Sequence, residues 1–268
     1  MKESINYVTN LQKRISSGIV LLIALAIVTY SVKKTPDFAL YTIALLALLV
    51  IYEYSGFFKE KILSVLFILF ALTTFFLMSE YYLWLVILGC LIWLSLFTRI
   101  LLYDSPNMGS IEIFFAGYLM IIPSMISGII IFESYAKLLI LILIAVSFAD
   151  SAAYFFGKKY GSKVLLKNTS PGKTLEGLIG AFFTTPVFLV LLSGLLDIEL
   201  SGAIILGLTI TPISFMGDVT FSFIKRSAKV KDSSNLIPGH GGFIDLLDGS
   251  IASLPFFALF LMSLPGNF

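Results

Sequence analysis

Nine ionisable residues fall between positions 217 and 248 of an otherwise strongly apolar chain: Asp218, Lys225, Arg226, Lys229, Lys231, Asp232, His240, Asp245 and Asp248. Asp245 and Asp248 are three positions apart, so on a helix they share a face. Two carboxylates held together beside a membrane repel each other unless a cation neutralises them. Mg²⁺ is held by one or two carboxylates together with substrate phosphates. Asp218, on the neighbouring apolar segment, would complete a metal site with Asp245 and Asp248. The plainer reading is that the pair are acids at a helix start, favoured by the macrodipole. That leaves Asp218 unexplained, and with it the run Pro238-Gly239-His240-Gly241-Gly242. Glycine lets backbone N–H groups approach an anion closely, and a helix beginning near Phe243 adds its positive end. His240, the sole histidine, suits a phosphate ligand, an acid or base, a metal ligand or a turn residue. Zinc does not fit, because there is no second histidine and no cysteine pair.

Bases surround these acids. Lys225 and Arg226 suit a polyphosphate, with arginine able to bind it bidentately. The whole run Lys225, Arg226, Lys229 and Lys231 also reads as a positive flank attracted to anionic lipid, with Lys225 and Arg226 expected in the site and Lys229 on the lipid surface. A second polar stretch carries Ser170-Pro171-Gly172-Lys173-Thr174-Leu175-Glu176-Gly177. Gly-Lys-Thr invites a P-loop reading, but the first glycine of that motif would stand at position 167, which is Lys167. The segment instead predicts a helix start, with Ser170 as cap and Pro171 in the first turn, and Lys173 within reach of a phosphate. Upstream, Asp150 sits inside an apolar run, with Tyr154 on the same helical face. A buried acid in a membrane segment is a functional hypothesis by default; the bland alternative is a polar contact between helices.

These residues need apolar helices to position them. The chain has 268 residues, 58% of them hydrophobic, and a mean hydropathy of +1.00. Soluble domains are about 45–50% apolar, so the composition predicts an all-α, polytopic membrane bundle. A spanning helix takes about 20 apolar residues. Nine such spans are legible, at 15–32, 38–57, 62–79, 82–98, 111–132, 136–156, 175–195, 199–222 and 243–263. The first resembles a signal peptide, but no small-residue cleavage site follows it, so it is expected to stay as a span. With the N-terminus inside, only Lys33, Lys34 and Lys137 of the 18 basic residues lie outside. That asymmetry predicts N-in and C-out. A net charge of +2 gives no reason to expect nucleic acid as a partner.

Residues 1–132 read as a transmembrane scaffold of helices and short connections. Glu53 lies near a span end there and suits the headgroup region. Residues 133–268 read as the catalytic region, with inner-face loops at 157–174 and 223–242. Cys90, the single cysteine, is expected to pack in an apolar run.

Taken together, Ser222-x-x-Lys225-Arg226, Lys231-Asp232, Pro238-x-His240-Gly241-Gly242 and Asp245-x-x-Asp248 resemble the signature of the phosphatidate cytidylyltransferases, or CDP-diacylglycerol synthases. Asp150-Ser151-x-Ala153-Tyr154 and the Ser170–Gly177 segment match it too, so the likeness covers about residues 147–255. The resemblance implies transfer of a cytidylyl group from CTP to phosphatidate, releasing pyrophosphate at the cytoplasmic side of a cell membrane. It implies Mg²⁺ as cofactor, with a second cation as a further option. Asp218, Asp245 and Asp248 are then expected to hold metal. Lys173, Lys225, Arg226 and His240 are expected on phosphates, with Ser222, Gly241, Gly242 and Asp150 lining the substrate site. Asn at position 218 or 245 is expected to abolish turnover without unfolding the protein. Two positions depart from the pattern: Leu246 where arginine is usual, and Phe221 where a polar or acidic residue is expected. The partners implied are the two substrates and membrane lipid, and a homodimer suits a small polytopic enzyme. The alternative is an ion-coupled transporter using Asp150 and Asp218.

Overall fold

The structure, a computed structural model, describes residues 36–77, 82–196, 199–237 and 241–263. The expected span at 15–32 and the Pro238-Gly239-His240 segment lie outside the described residues. Within them the chain forms seven helices: α1 (Pro36–Ser55), α2 (Lys61–Leu77), α3 (Tyr82–Leu102), α4 (Ser110–Tyr160), α5 (Leu175–Leu196), α6 (Leu200–Ser227) and α7 (Phe243–Met262). Helices α3 to α7 are long and apolar enough to cross a membrane. A short antiparallel hairpin, β1 (Val164–Leu166) and β2 (Ser170–Thr174), separates α4 from α5.

Two spans expected at 111–132 and 136–156 appear as the single 51-residue helix α4, broken at Tyr135 by an extended backbone (φ −148°, ψ 72°). The two limbs fold back on each other at that break. A Cβ on Gly128 would lie 3.4 Å from Leu254, and one on Gly249 would lie 3.0 Å from Val146. Gly128 and Val146 would be about 27 Å apart along a straight helix. Leu254 and Gly249 are less than two turns apart on α7, so only a doubled-back α4 can touch both. Both expected segments are therefore helical, joined through Tyr135.

The helices cross closely where glycine removes the side chain, as membrane bundles permit. At the crossing of α6 and α7, a Cβ on Gly217 would fall 2.5 Å from the Asp248 carbonyl. At the crossing of α4 and α5, a Cβ on Gly177 would fall 2.6 Å from the Ala153 carbonyl. The first contact sets Asp218 beside Asp248. The second brings the Asp150–Tyr154 face of α4 to β2, which carries Lys173.

The buried core joins both ends of the chain. One apolar cluster takes Tyr54 from α1, Trp93 from α3, Met120 from α4, Phe221 from α6 and Ile251 from α7. Cys90 is buried as a free thiol.

Candidate active site

The hairpin corrects the helix start expected at Ser170. Ser170 pairs with Leu166 and Thr174 with Val164, so Pro171 lies on a strand. The helix begins at Leu175 instead, where Thr174 Oγ1 accepts the amide of Gly177 at 3.2 Å. Two carboxylates hold the hairpin in place. Asp104 accepts the amides of Asn168 (2.7 Å) and Thr169 (2.9 Å) and the Thr169 hydroxyl (2.5 Å). Glu176 accepts the amide of Ser162 at 3.0 Å and that of Lys163 at 3.2 Å. A flexible-looking basic loop is thereby a fixed platform that presents Lys173.

Lys173 Nζ forms an ion pair with Asp218 Oδ2. The charges of Asp150 and Asp248 also act on it. Burial disfavours the ammonium, but Asp218 and then Asp150 outweigh that and hold its pKa above the ordinary lysine range. One carboxylate thus pairs with this cation directly, and two more, on α4 and α7, act on it through their charge. An open cavity of about 210 Å³ adjoins it, lined in part by Tyr154, Ser170, Lys173, Thr174 and Phe215. Ser222 Oγ donates to Asp218 Oδ1 at 3.4 Å, one helical turn along α6.

Helix α6 continues to Ser227, so the expected loop from 223 begins five residues later. Lys225 is therefore helical, two turns after Asp218, and only 8% exposed. Its Nζ lies 2.5 Å from Asp245 Oδ1. Arg226, one position on, points elsewhere: it is exposed, and its guanidinium donates weakly to the Val230 carbonyl at 3.4 Å. The structure does not bring Lys225 and Arg226 together. Beyond them the chain reverses through Lys229 in the left-handed region (φ 63°).

Asp245, expected to hold metal with Asp218 and Asp248, is engaged by protein donors in the structure. Its Oδ2 accepts the amide of Ser233 (2.7 Å), the hydroxyl of Ser233 (3.0 Å) and the amide of Gly242 (2.9 Å). Lys225 lies on the other oxygen, so both oxygens of Asp245 have protein donors. Among the described residues no three Asp, Glu, His or Cys side chains form a ready-made metal cluster. Asp248 is 7% exposed and accepts the amide of Gly249 at 2.7 Å.

Of the glycine run, Gly241 and Gly242 are among the described residues. Gly241 has φ +97°, and a Cβ there would meet Asp245 Oδ2 at 2.4 Å. Its N–H donates to the Ile237 carbonyl at 3.1 Å, and the Ile237 N–H donates back to the Gly241 carbonyl at 2.7 Å. The amides at the start of α7 are spent on protein carboxylates. Gly242 donates to Asp245, while Phe243 and Ile244 each donate to Glu53 at 2.9 Å. Glu53 is 3% exposed, so it does not face headgroups as expected. Its one signal in the sequence is an acid near the end of an apolar segment; its partners lie 180 to 191 positions away.

Phe221 is a core residue. It is fully buried, with its ring edge-on to Trp93 at 5.6 Å, so an acid there would be stranded in apolar packing. Leu246 is half-buried at the start of α7, and the structure gives no reason for leucine in place of arginine.

The chain matches the model of the cytidylyltransferase family over residues 12–264. A phosphatidate cytidylyltransferase of Haemophilus influenzae is 44% identical over 129 residues, covering 46% of this chain and 45% of that protein. The protein of the same name from Pseudomonas aeruginosa is 34% identical over 155 residues, covering 54% and 55%. That of Staphylococcus aureus is 36% identical over 115 residues, covering 42% and 44%. The matched stretch of this chain spans about half the length of these curated relatives. By the match over nearly its whole length, the chain belongs to the cytidylyltransferase family.

Proposed function

We propose that this member of the cytidylyltransferase family transfers a cytidylyl group from CTP to phosphatidate, giving CDP-diacylglycerol and pyrophosphate. The observation that carries the reading is the Lys173 cluster: one lysine and the carboxylates of Asp150, Asp218 and Asp248, gathered beside an open cavity at one end of apolar helices. The names of the relatives support the choice of substrates. A water-soluble nucleotide and a lipid have to meet at an interface, and the charge asymmetry along the chain favours the cytoplasmic one.

In the proposed reaction an oxygen of the lipid phosphate bonds to the α-phosphorus of CTP. The bond from that phosphorus to the oxygen bridging the α- and β-phosphates breaks, and pyrophosphate leaves. Both reactants are anionic, so the protein's task is to position them and offset charge, with no covalent nucleophile required. Lys173 lines the cavity and is the residue best placed to meet a phosphate. Lys225, fixed by Asp245, holds a second positive charge two helical turns from Asp218.

The donor set suits a hard cation in part. Asp218 and Asp248 stand at the tight crossing of α6 and α7 and offer oxygen ligands, whereas Asp245 is already occupied. Two carboxylates plus substrate phosphates meet the usual demand of Mg²⁺. Such an ion, when bound, neutralises charge on the transferring phosphates. Asp150 is the carboxylate left for a second cation, and His240 stays a proposed phosphate contact. No observation favours the transporter alternative.

The test is pyrophosphate release by the purified chain in detergent. The reading expects release that requires CTP, phosphatidate and Mg²⁺ together and stops with EDTA. Release of equal size without phosphatidate would contradict it.

A further inference from the structure

We infer that Glu53, from the segment that reads as scaffold, is a positioning residue for the cytidylyl-transfer site. Its carboxylate takes four hydrogen bonds from the far end of the chain. Oε1 accepts Ser234 Oγ at 2.6 Å and the Phe243 amide at 2.9 Å. Oε2 accepts Ser233 Oγ at 3.1 Å and the Ile244 amide at 2.9 Å. Among the described residues it makes no ion pair with a lysine or arginine. A buried charge without a counter-ion needs dipoles, and here the first turn of α7 supplies them together with two hydroxyls.

Through these bonds Glu53 acts on Asp245. Ser233 Oγ lies between the two acids, 3.1 Å from Glu53 Oε2 and 3.0 Å from Asp245 Oδ2. A hydroxyl has one proton, so the two carboxylates share one donor and their places are linked. The amides of residues 242 to 244 are divided between them in sequence, Gly242 to Asp245 and the next two to Glu53. There is no slack in the arrangement: a Cβ on Gly242 would fall 2.5 Å from Glu53 Oε1 and 2.1 Å from Ser233 Oγ. Glu53 thus sets the register of the 233–237 segment and the first turn of α7. That turn in turn carries the partner of Lys225 and, one turn later, Asp248.

A glutamate is required, not merely a polar group of that size. Both oxygens face donors, so glutamine would turn its NH₂ against a backbone amide and a hydroxyl. One buried donor on α7 would then go unmet. Aspartate keeps two accepting oxygens on a shorter stem and should recover part of the function.

The inference rests on the cytidylyl-transfer reading, and the experiment separates the two. Amide hydrogen exchange is measured on wild type, Glu53→Gln, Glu53→Asp and the milder Ser234→Ala, alongside kcat and KM for CTP. Glu53→Gln is expected to speed exchange in 233–237 and 242–246 by about tenfold, the scale of one unmet buried hydrogen bond. Exchange in the limb of α4 around Val146 stays as in wild type. The kcat per folded molecule falls by a similar factor with KM for CTP little changed, and Glu53→Asp regains part of it. Unchanged exchange and kcat in a folded Glu53→Gln protein would overturn the inference. So would a fall in thermal stability with kcat intact. A wild type inert toward CTP that still shows the exchange difference would overturn the cytidylyl reading and leave the positional role of Glu53 standing.

Discussion

Lys225 of α6 and Asp245 of α7 form an ion pair at 2.5 Å with side chains only 10% and 8% exposed. Removing one member of so buried a pair leaves the other charge uncompensated, at about 3–5 kcal/mol. Asp245→Asn is therefore expected to lower the unfolding midpoint sharply, unlike the intact folding expected from sequence. The double variant Lys225→Met/Asp245→Asn removes both charges but keeps an oxygen for the Ser233 and Gly242 amides, and should recover part of that stability while remaining inactive. Thermal unfolding followed by fluorescence, beside turnover on the same samples, checks both halves.

Asp218 behaves differently. Its side chain is 18% exposed and borders the open cluster around Lys173. Asp218→Asn is expected to cost less stability than Asp245→Asn, because Asp150 and Asp248 still act on Lys173, and to lose turnover by about a hundredfold or more, the scale seen when a charge-stabilising group is removed from a reacting site. Wild-type turnover in that variant would remove Asp218 from the site.

The crossing of α6 and α7 depends on Gly217. Alanine there would press a methyl to 2.5 Å from the Asp248 carbonyl. Gly217→Ala is expected to cost about 1–3 kcal/mol and to depress turnover by moving Asp218 away from Asp248. Gly194→Ala is the control, because a Cβ there meets nothing within 4 Å. On a helix that change should be neutral or stabilising by up to about 1 kcal/mol.

Lys173 gives a pH prediction with a definite sign. Its folded pKa lies above the ordinary value of 10.5, because Asp218 and Asp150 outweigh its burial. Its pairing therefore stabilises the fold fully below pH 10.5 and is lost only as pH rises through the higher folded value. The difference in unfolding midpoint between wild type and Lys173→Met is expected to stay constant from neutral pH to about pH 10. A difference that shrinks between pH 7 and 9 would mean that Lys173 is not held by these acids.

Much of the site was legible because charge inside an apolar run is costly and draws attention. Asp150, Asp218, Asp248 and Lys225 all lie on apolar helices, as their places in apolar runs suggest, whereas Lys173 sits on strand β2. What escaped depends on tertiary pairing. Glu53 looked interfacial until the loop and helix start from the other end of the chain closed over it. The same closure seats Asp245 against Gly241 and the Gly242 amide. Ser170-Pro171-Gly172-Lys173-Thr174 has poor strand propensity, and only its pairing with 164–166, anchored by Asp104, makes it a hairpin. Lys225 and Arg226 are adjacent in sequence, so they looked like one clamp. Once α6 runs on to Ser227, a helix turns them to different faces. The break at Tyr135 lies between two spans that the sequence did separate, without showing that one doubled-back helix joins them.

The most direct test of the central claim follows the two ends of the nucleotide separately. The purified chain is given phosphatidate, Mg²⁺ and CTP radiolabelled at either the α- or the γ-phosphate, and lipid is extracted after the reaction. The account predicts that α-label enters the lipid fraction as CDP-diacylglycerol while γ-label stays in water as pyrophosphate. Transfer of γ-label to lipid, or no transfer from either nucleotide by a well-folded chain, would contradict it.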